Sequence, residues 1–225
     1  MTPLPAWAGR DNFRDQIGMS GTTVEFWYEF ASPYSYLAAA RIERLVAGTS
    51  IRLDWRPFLL GPILAQRTHD PSPFQNPTPA QRRYRWRDVQ RLCVADALPL
   101  RLPSTYPRNG LLAARVALIA VAEGWRPAFT RAVYHANFAE DRDIAAIEVI
   151  AAVIGTLGQE PGAVLKRAHG EDNKARLKMR GEEAIRRGIF GAPSFVVGEE
   201  LFWGNDRLEP ALAWALSPRH LSALA

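Results

Sequence analysis

The chain carries one cysteine, Cys93, in 225 residues. An internal disulfide and a dithiol redox pair are both excluded by that count, and a lone thiol agrees with a reducing, cytoplasmic setting. Lysine is nearly as scarce. Lys166, Lys174 and Lys178 are the only three, so the 28 basic residues set against 23 acidic ones are otherwise arginine. A net charge of +5 and a pI of about 9.7 would suit nucleic acid, but no nucleic-acid motif accompanies them. A mild positive potential equally steers small acids, and Arg82, Arg83, Arg85, Arg87 and Arg91 read as a solvated helix face. No apolar run approaches the roughly 20 residues that span a bilayer. His69, His135, His169 and His220 have no metal-ligand spacing. No Ser/His/Asp order or phosphate-binding glycine loop stands out. Nucleic acid, membrane and metal are therefore not expected partners.

What is present begins after a first stretch, residues 1–20, that mixes Pro, Gly, Arg and Asp without the apolar centre of a secretory signal. It reads as a loose extension, with Met19 available as an alternative start. The organising stretch follows. Val24 to Phe30 is β-branched and aromatic and reads as a strand. Tyr34 to Val46 is rich in Ala, Leu and Arg and reads as a helix ending at Gly48. Between them lies Ser32-Pro33-Tyr34-Ser35, with proline suited to the first helical turn. Ser32 thus falls at a helix N-terminus, where unpaired N–H groups and the dipole favour an anion. The turn has the outline of a Cys-Pro-Tyr-Cys redox motif with serine at both cysteine positions. No disulfide can form there, yet a thiolate brought by a ligand could take the same place. The same serine would serve equally as a plain N-cap.

Ile51 to Arg56 alternates with period two, as a half-buried strand does, which predicts a βαβ unit ended by Pro57 and Pro62. Residues 66–78 read as loop. Thr78-Pro79-Ala80-Gln81 is a capping box opening a helix to about Ala97, with Cys93 buried on it. From Asn109 the pattern is helical: Leu111–Glu123, Pro127–Phe138, Asp143–Leu157, Pro161–His169 and Asp172–Arg187. After Gly188 it changes to two short strands, Phe195–Val197 and Leu201–Trp203, then a helix from Asp206 to Leu216. The expected architecture is α/β: a small sheet domain over 21–60 and 188–225, with an all-helical domain inserted over 61–187.

Two further motifs could carry chemistry. Gly191-Ala192-Pro193-Ser194 enters a strand and is a good place for a cis peptide bond. A cis bond would turn the Ala192 backbone towards an extended ligand, though an ordinary strand-entry proline reads the same way. In Trp203-Gly204-Asn205-Asp206-Arg207, glycine permits close approach, Asn205 or Asp206 would cap the last helix, and Asp206 could accept a ligand ammonium. Asn137 to Asp143 reads as a charged junction between helices.

These motifs together, with the Ala-Asn-Phe-Ala-Glu-Asp-Arg-Asp-Ile junction, resemble the 2-hydroxychromene-2-carboxylate isomerases. Those are similar to kappa-class glutathione transferases and to DsbA-type proteins. The resemblance spans Val24 to about Leu216. It implies a thioredoxin-like fold with a helical insertion, a homodimer, glutathione as cofactor and a small aromatic carboxylate as substrate in aromatic catabolism. By motif, Ser32 would face the glutathione sulfur. Ala192 and Pro193 would meet its cysteinyl part, and Trp203, Gly204, Asn205 and Asp206 its γ-glutamyl end. Asn76, Pro77 and Tyr106 would contact the substrate. The lysine that the family often has after Leu60-Gly61-Pro62-Ile63-Leu64 is replaced by Ala65, and Arg67 is the nearest cation to take its place. The resemblance implies a cis–trans isomerase. A transferase or peroxidase acting on another electrophile, and a non-catalytic peptide-binding module, are the two rival readings.

Overall fold

The computed structural model describes residues 21–65 and 78–217. The N-terminal extension, together with Arg67, Asn76 and Pro77, lies outside that range. Strand β1 (Thr23–Tyr28) leads through a four-residue turn into helix α1 (Pro33–Val46), and β2 (Arg52–Pro57) returns parallel to β1. The chain later re-enters the sheet as β3 (Ser194–Val197), antiparallel to β1, and β4 (Glu200–Trp203), antiparallel to β3. The strand order is β2-β1-β3-β4. Between β2 and β3 the chain forms α2 (Leu60–Ala65), α3 (Pro79–Ala95), α4 (Leu111–Ala120), α5 (Arg126–Phe138), α6 (Ile147–Thr156), α7 (Pro161–Ala168) and α8 (Glu171–Arg186). A 3-10 turn (Asn205–Arg207) and α9 (Leu208–Leu216) complete it.

Strand β1 is central, and alternation assigns its side chains to two cores. Val24, Phe26 and Tyr28 face the larger one, where Phe26 stacks on Phe195 at 5.4 Å and the inserted helices and α9 join α1 in covering the sheet. The Tyr28 hydroxyl shares a 2.8 Å hydrogen bond with Thr130 of α5. Trp27 faces the other core with Phe58, Ile63, Ala184, Ile189 and Val196. Arg56 and Arg180 lie over the Trp27 ring at 5.3 and 5.6 Å, and Arg56 pairs with Glu25, Asp54 and Glu183. With both faces covered, β1 is apolar on each side except at Glu25, whose buried carboxylate is met by Arg56.

Several boundaries differ from the sequence reading, each for a local reason. The strand expected over Val24–Phe30 stops at Tyr28, because the Glu29 carbonyl is taken by the Ser32 N–H at 3.0 Å. Helix α2 forms just where the βαβ unit was expected to end at Pro57 and Pro62, since proline is tolerated in a first turn. The helix expected from Asp143 begins at Ile147. Asp143 instead makes a turn, accepting the Ala145 N–H at its carboxylate and the Ala146 N–H at its carbonyl. The capping box at Thr78 forms with both reciprocal hydrogen bonds. Cys93 is buried on α3, and burial pushes its thiol up to about 11.

Candidate functional site

The site grows from the turn between β1 and α1. Ser32 has extended backbone and Pro33 takes the first helical position. The Ser32 hydroxyl accepts from the Ser35 N–H at 3.1 Å, so it does cap the helix. It also donates, at 3.0 Å, to the carbonyl of Ala192. No acidic residue stands in the first turn of α1, so the positive end of its dipole is not offset from within the helix. Serine is doing two jobs here, and the second brings together two motifs 160 residues apart.

The Ala192–Pro193 peptide bond is cis, as is Tyr106–Pro107. The Pro193 carbonyl accepts from the Gly204 N–H at 3.0 Å, which fastens the third motif to the second. Gly204 has φ +116, a conformation that side chains rarely adopt, and a Cβ there would meet the Asp206 carboxylate. Gly191 is required for another reason: a Cβ on it would collide with the indole nitrogen of Trp203. Trp203 in turn packs edge-on against Phe190 at 4.8 Å. These rings, with Leu201, Phe202, Arg207 and Pro210, line a groove of about 570 Å³ beside β4.

Asn205 and Asp206 divide the work differently from the expectation that one of them caps the last helix. Neither gives a side-chain cap to the 3-10 turn or to α9. Asn205 is buried, and its Oδ1 accepts from Arg41 of α1 at 2.9 Å. Arg41 also reaches Glu209 and Asp96. Asp206 is exposed and touches Arg207 at 3.1 Å. The structure thus sets Ser32, Ala192, Pro193 and Gly204 on one continuous hydrogen-bonded path, with Trp203 and Asp206 at its far end.

Helix α3 and the loop before α4 bring together a second group of side chains, joined to α1 through Tyr34. Tyr34 of α1 donates to Asp88 of α3 at 3.0 Å, and burial pushes its phenol above the ordinary value. Trp86 meets the Tyr106 ring edge-on at 5.0 Å. The Tyr106 hydroxyl is hydrogen-bonded to Arg85, a half-buried member of the arginine cluster whose other members are exposed. Desolvation around that hydroxyl holds its pKa up although 38% of the residue is exposed.

Two groups that sequence reasoning left aside brace the turn. The Asn137 amide donates to the Phe30 carbonyl at 3.1 Å, within the active turn itself. Arg108, buried and ion-paired to Asp141, donates to the Asn137 side chain at 3.0 Å and to the carbonyls of Asn137, Asp141 and Arg142. The charged helix-to-helix junction, expected to cap helices, is therefore a clamp joining the Ser32 turn to the Tyr106 loop. The second group is Glu29, 8% exposed, at the start of the turn. Its Oε2 accepts from the Leu60 N–H at 2.8 Å, and burial pushes its carboxyl up to about 7.

A sheet of this order, with a helix N-terminus facing a cis-proline turn and a helical segment inserted between β2 and β3, defines a thioredoxin-like protein of the DsbA type. The profile of the DSBA-like thioredoxin domain matches residues 23–213, and the chain belongs to that family. It is 25% identical to a 2-hydroxychromene-2-carboxylate isomerase of Sphingobium xenophagum, over 83% of this chain and 94% of that protein. A solved structure of a 2-hydroxychromene-2-carboxylate isomerase superposes with a TM-score of 0.77 at 26% identity, covering 90% of this chain and 99% of the other. A glutathione S-transferase kappa 2 of Caenorhabditis elegans is 22% identical over 87% of this chain and 92% of its own. Among the described residues no helix is long and apolar enough to cross a membrane, and no cluster of metal-ligating side chains is found.

Proposed function

We propose that the chain is a glutathione-dependent isomerase of 2-hydroxychromene-2-carboxylate type. The observation that carries this reading is the Ser32 hydroxyl, set at the N-terminus of α1 and pointed at the Ala192 carbonyl beside cis-Pro193. The donor chemistry fits glutathione. A hydroxyl and a helix N-terminus suit a thiolate, and an exposed carboxylate on Asp206 suits an ammonium. With no cysteine at either position of the turn, the chain has no dithiol of its own to exchange there.

When bound, glutathione supplies a thiolate that adds reversibly to the conjugated chain of the substrate and so frees a double bond to rotate. Ser32 turns its proton from Ala192 to the sulfur. Lowering a thiol pKa by one unit takes about 1.4 kcal/mol, within reach of one charge-assisted hydrogen bond and a helix N-terminus. Ser32 is not a base, since no neighbouring base takes its proton. Asp206 holds the γ-glutamyl ammonium, with Trp203 and Gly204 beside it. Tyr106 and Arg85 face the aromatic hydroxy acid, and Arg85 meets its carboxylate with a planar fork. Arg67, Asn76 and Pro77 belong to the same reading as further substrate contacts. A homodimer and a cytoplasmic place in aromatic catabolism travel with it.

Calorimetry with glutathione, followed by an assay of chromene carboxylate with and without glutathione, tests the reading. Millimolar glutathione should bind and the isomerisation should require it. Absence of binding would leave only a peptide-binding module. Binding with conjugation of standard electrophiles but no isomerisation would favour the transferase, which the kappa-class relative keeps in view.

A further inference from the structure

A small cavity opens on the helical insertion, lined by none of the residues placed in the site above. It holds about 240 Å³ between the start of α4, the turn into α6 and the end of α7. Leu111, Leu112 and Arg115 line it together because residues three and four apart share a helix face. Arg115 is fixed at its backbone, where its carbonyl accepts from the Asn173 amide of α8 at 3.0 Å. Its guanidinium is not. Nε is buried without an acceptor, and among the described residues the side chain makes no hydrogen bond or ion pair. Glu171 of α8 feels the charge, but its carboxylate is paired with Lys174 at 2.7 Å. Asn109 turns its Oδ1 to the Leu111 N–H at 2.9 Å, which leaves its amide N–H groups to donate. Across the cavity, His169 Nδ1 meets the Leu165 carbonyl at 2.8 Å. A carbonyl only accepts, so Nδ1 holds the proton and Nε2 is the ring nitrogen left over.

We propose that this cavity is a second binding site, for a small monocarboxylic acid with a compact apolar body. Arg115 and Asn109 hold the carboxylate, and Leu111, Leu112 and Ile147 cover the body. The planar guanidinium fork matches a carboxylate. A charged N–H buried without an acceptor is unfavourable until an anion meets it. One arginine sets the ligand's charge at one. A phosphate dianion would leave charge unmet and would offer nothing to the apolar side chains. Ile147 stands 44% exposed at this edge, so the ligand's body has apolar surface to cover. A volume of about 240 Å³ falls below the roughly 300–1,000 Å³ of pockets for drug-sized molecules, which limits that body to about one ring. Binding here is non-covalent and uses no glutathione, so the site stands apart from the isomerase reading.

The test is a benzoate titration of the full chain, without glutathione, followed by methyl NMR. The Leu111, Leu112 and Ile147 signals should move along one saturating curve in the millimolar range. Benzyl alcohol, which has the ring without the charge, should bind about tenfold more weakly or worse, and so should inorganic phosphate. Arg115→Met keeps the apolar stem and removes the fork, and it should weaken benzoate about tenfold or more. Benzoate also suits the substrate cleft of the isomerase reading, so Arg85→Ala is titrated alongside, and its three methyl curves should match the parent's. No saturating shift, equal affinity for benzyl alcohol or phosphate, or parent-like affinity in Arg115→Met would each overturn the proposal and leave the isomerase reading standing. Loss of the curves in Arg85→Ala would overturn it too, by placing benzoate in the cleft. Should Arg115→Met fail to fold, the benzyl alcohol and phosphate comparisons on the parent decide.

Discussion

The Ser32 hydroxyl and the Ala192 carbonyl meet at 3.0 Å, although 160 residues separate them. The same oxygen accepts from the Ser35 N–H, so Ser32 supports the fold and also carries the proton that a bound thiolate needs. Ser32→Ala should therefore show both losses. The cap should cost about 1 kcal/mol of stability, and the thiol of bound glutathione should rise in pKa, with turnover falling and glutathione affinity staying within a few-fold. Ultraviolet thiolate absorbance against pH, read beside a denaturant melt, separates the two. Unchanged absorbance and rate would reduce Ser32 to a cap.

Asp206 gives a sharper contrast now that it caps neither helix. Its carboxylate touches Arg207 and is otherwise well exposed. Asp206→Ala should leave the melting temperature nearly unchanged, as surface changes usually do. Glutathione binding should weaken about five- to tenfold, the low end for a charged hydrogen bond because water screens it. Calorimetry checks this, and full affinity in the variant would remove Asp206 from the site.

The local motifs were legible in the sequence because each is built from neighbours. Ser32-Pro33 at a helix start, Thr78 in its capping box and the cis bond at Pro193 all depend on residues within a few positions. What joins them was not legible. Nothing near Asn205 announces that Arg41 will claim its side chain, and nothing near Gly191 announces Trp203. A lone arginine in a loop such as Arg108 gives no local sign of burial. It is buried only because Asn137, Asp141 and Arg142 fold back around it. Glu29 falls inside the stretch read as a strand, and only the turn at Ser32 and the glycine at 110 make it a buried acid.

That clamp is itself testable. Asn137→Ala strands the Phe30 carbonyl and removes an acceptor from the buried Arg108 guanidinium. Each stranded buried group costs about 1–3 kcal/mol, so urea unfolding should move by a few kcal/mol. A loss below about 0.5 kcal/mol would put Asn137 among ordinary surface positions.

Glu29 also leaves a signature in stability. Its folded-state pKa of about 7 stands above the ordinary 4.5, so the folded state prefers the neutral acid. The full stability is present below pH 4.5 and is lost as pH rises through 7. The difference is on the order of 3 kcal/mol for a buried group. Urea melts at acid and alkaline pH should show the parent weakening across that window, and Glu29→Gln should flatten the slope. An unchanged slope would assign the pH dependence elsewhere.

The last prediction concerns the substrate carboxylate. A charge entering a partly dry cleft must be met there, because an unpaired buried charge is costly. Ala65 offers nothing where a lysine would stand, and Arg67 lies outside the described residues. Arg85 is half-buried and hydrogen-bonded to Tyr106, and its charge reaches Tyr34 as well. Its hydrogen bond to Tyr106 already orients its guanidinium. Arg85→Ala should raise the Michaelis constant for hydroxychromene carboxylate about 10- to 100-fold, the range for a hydrogen bond to a charged group. Glutathione binding should not change, since the residues assigned to glutathione, Ser32 and Asp206, make no contact with Arg85. Arg67→Ala, measured alongside, divides the carboxylate between the two arginines. If both variants are silent and the parent turns over chromene carboxylate poorly, the cleft takes a neutral electrophile, and the transferase reading replaces the isomerase.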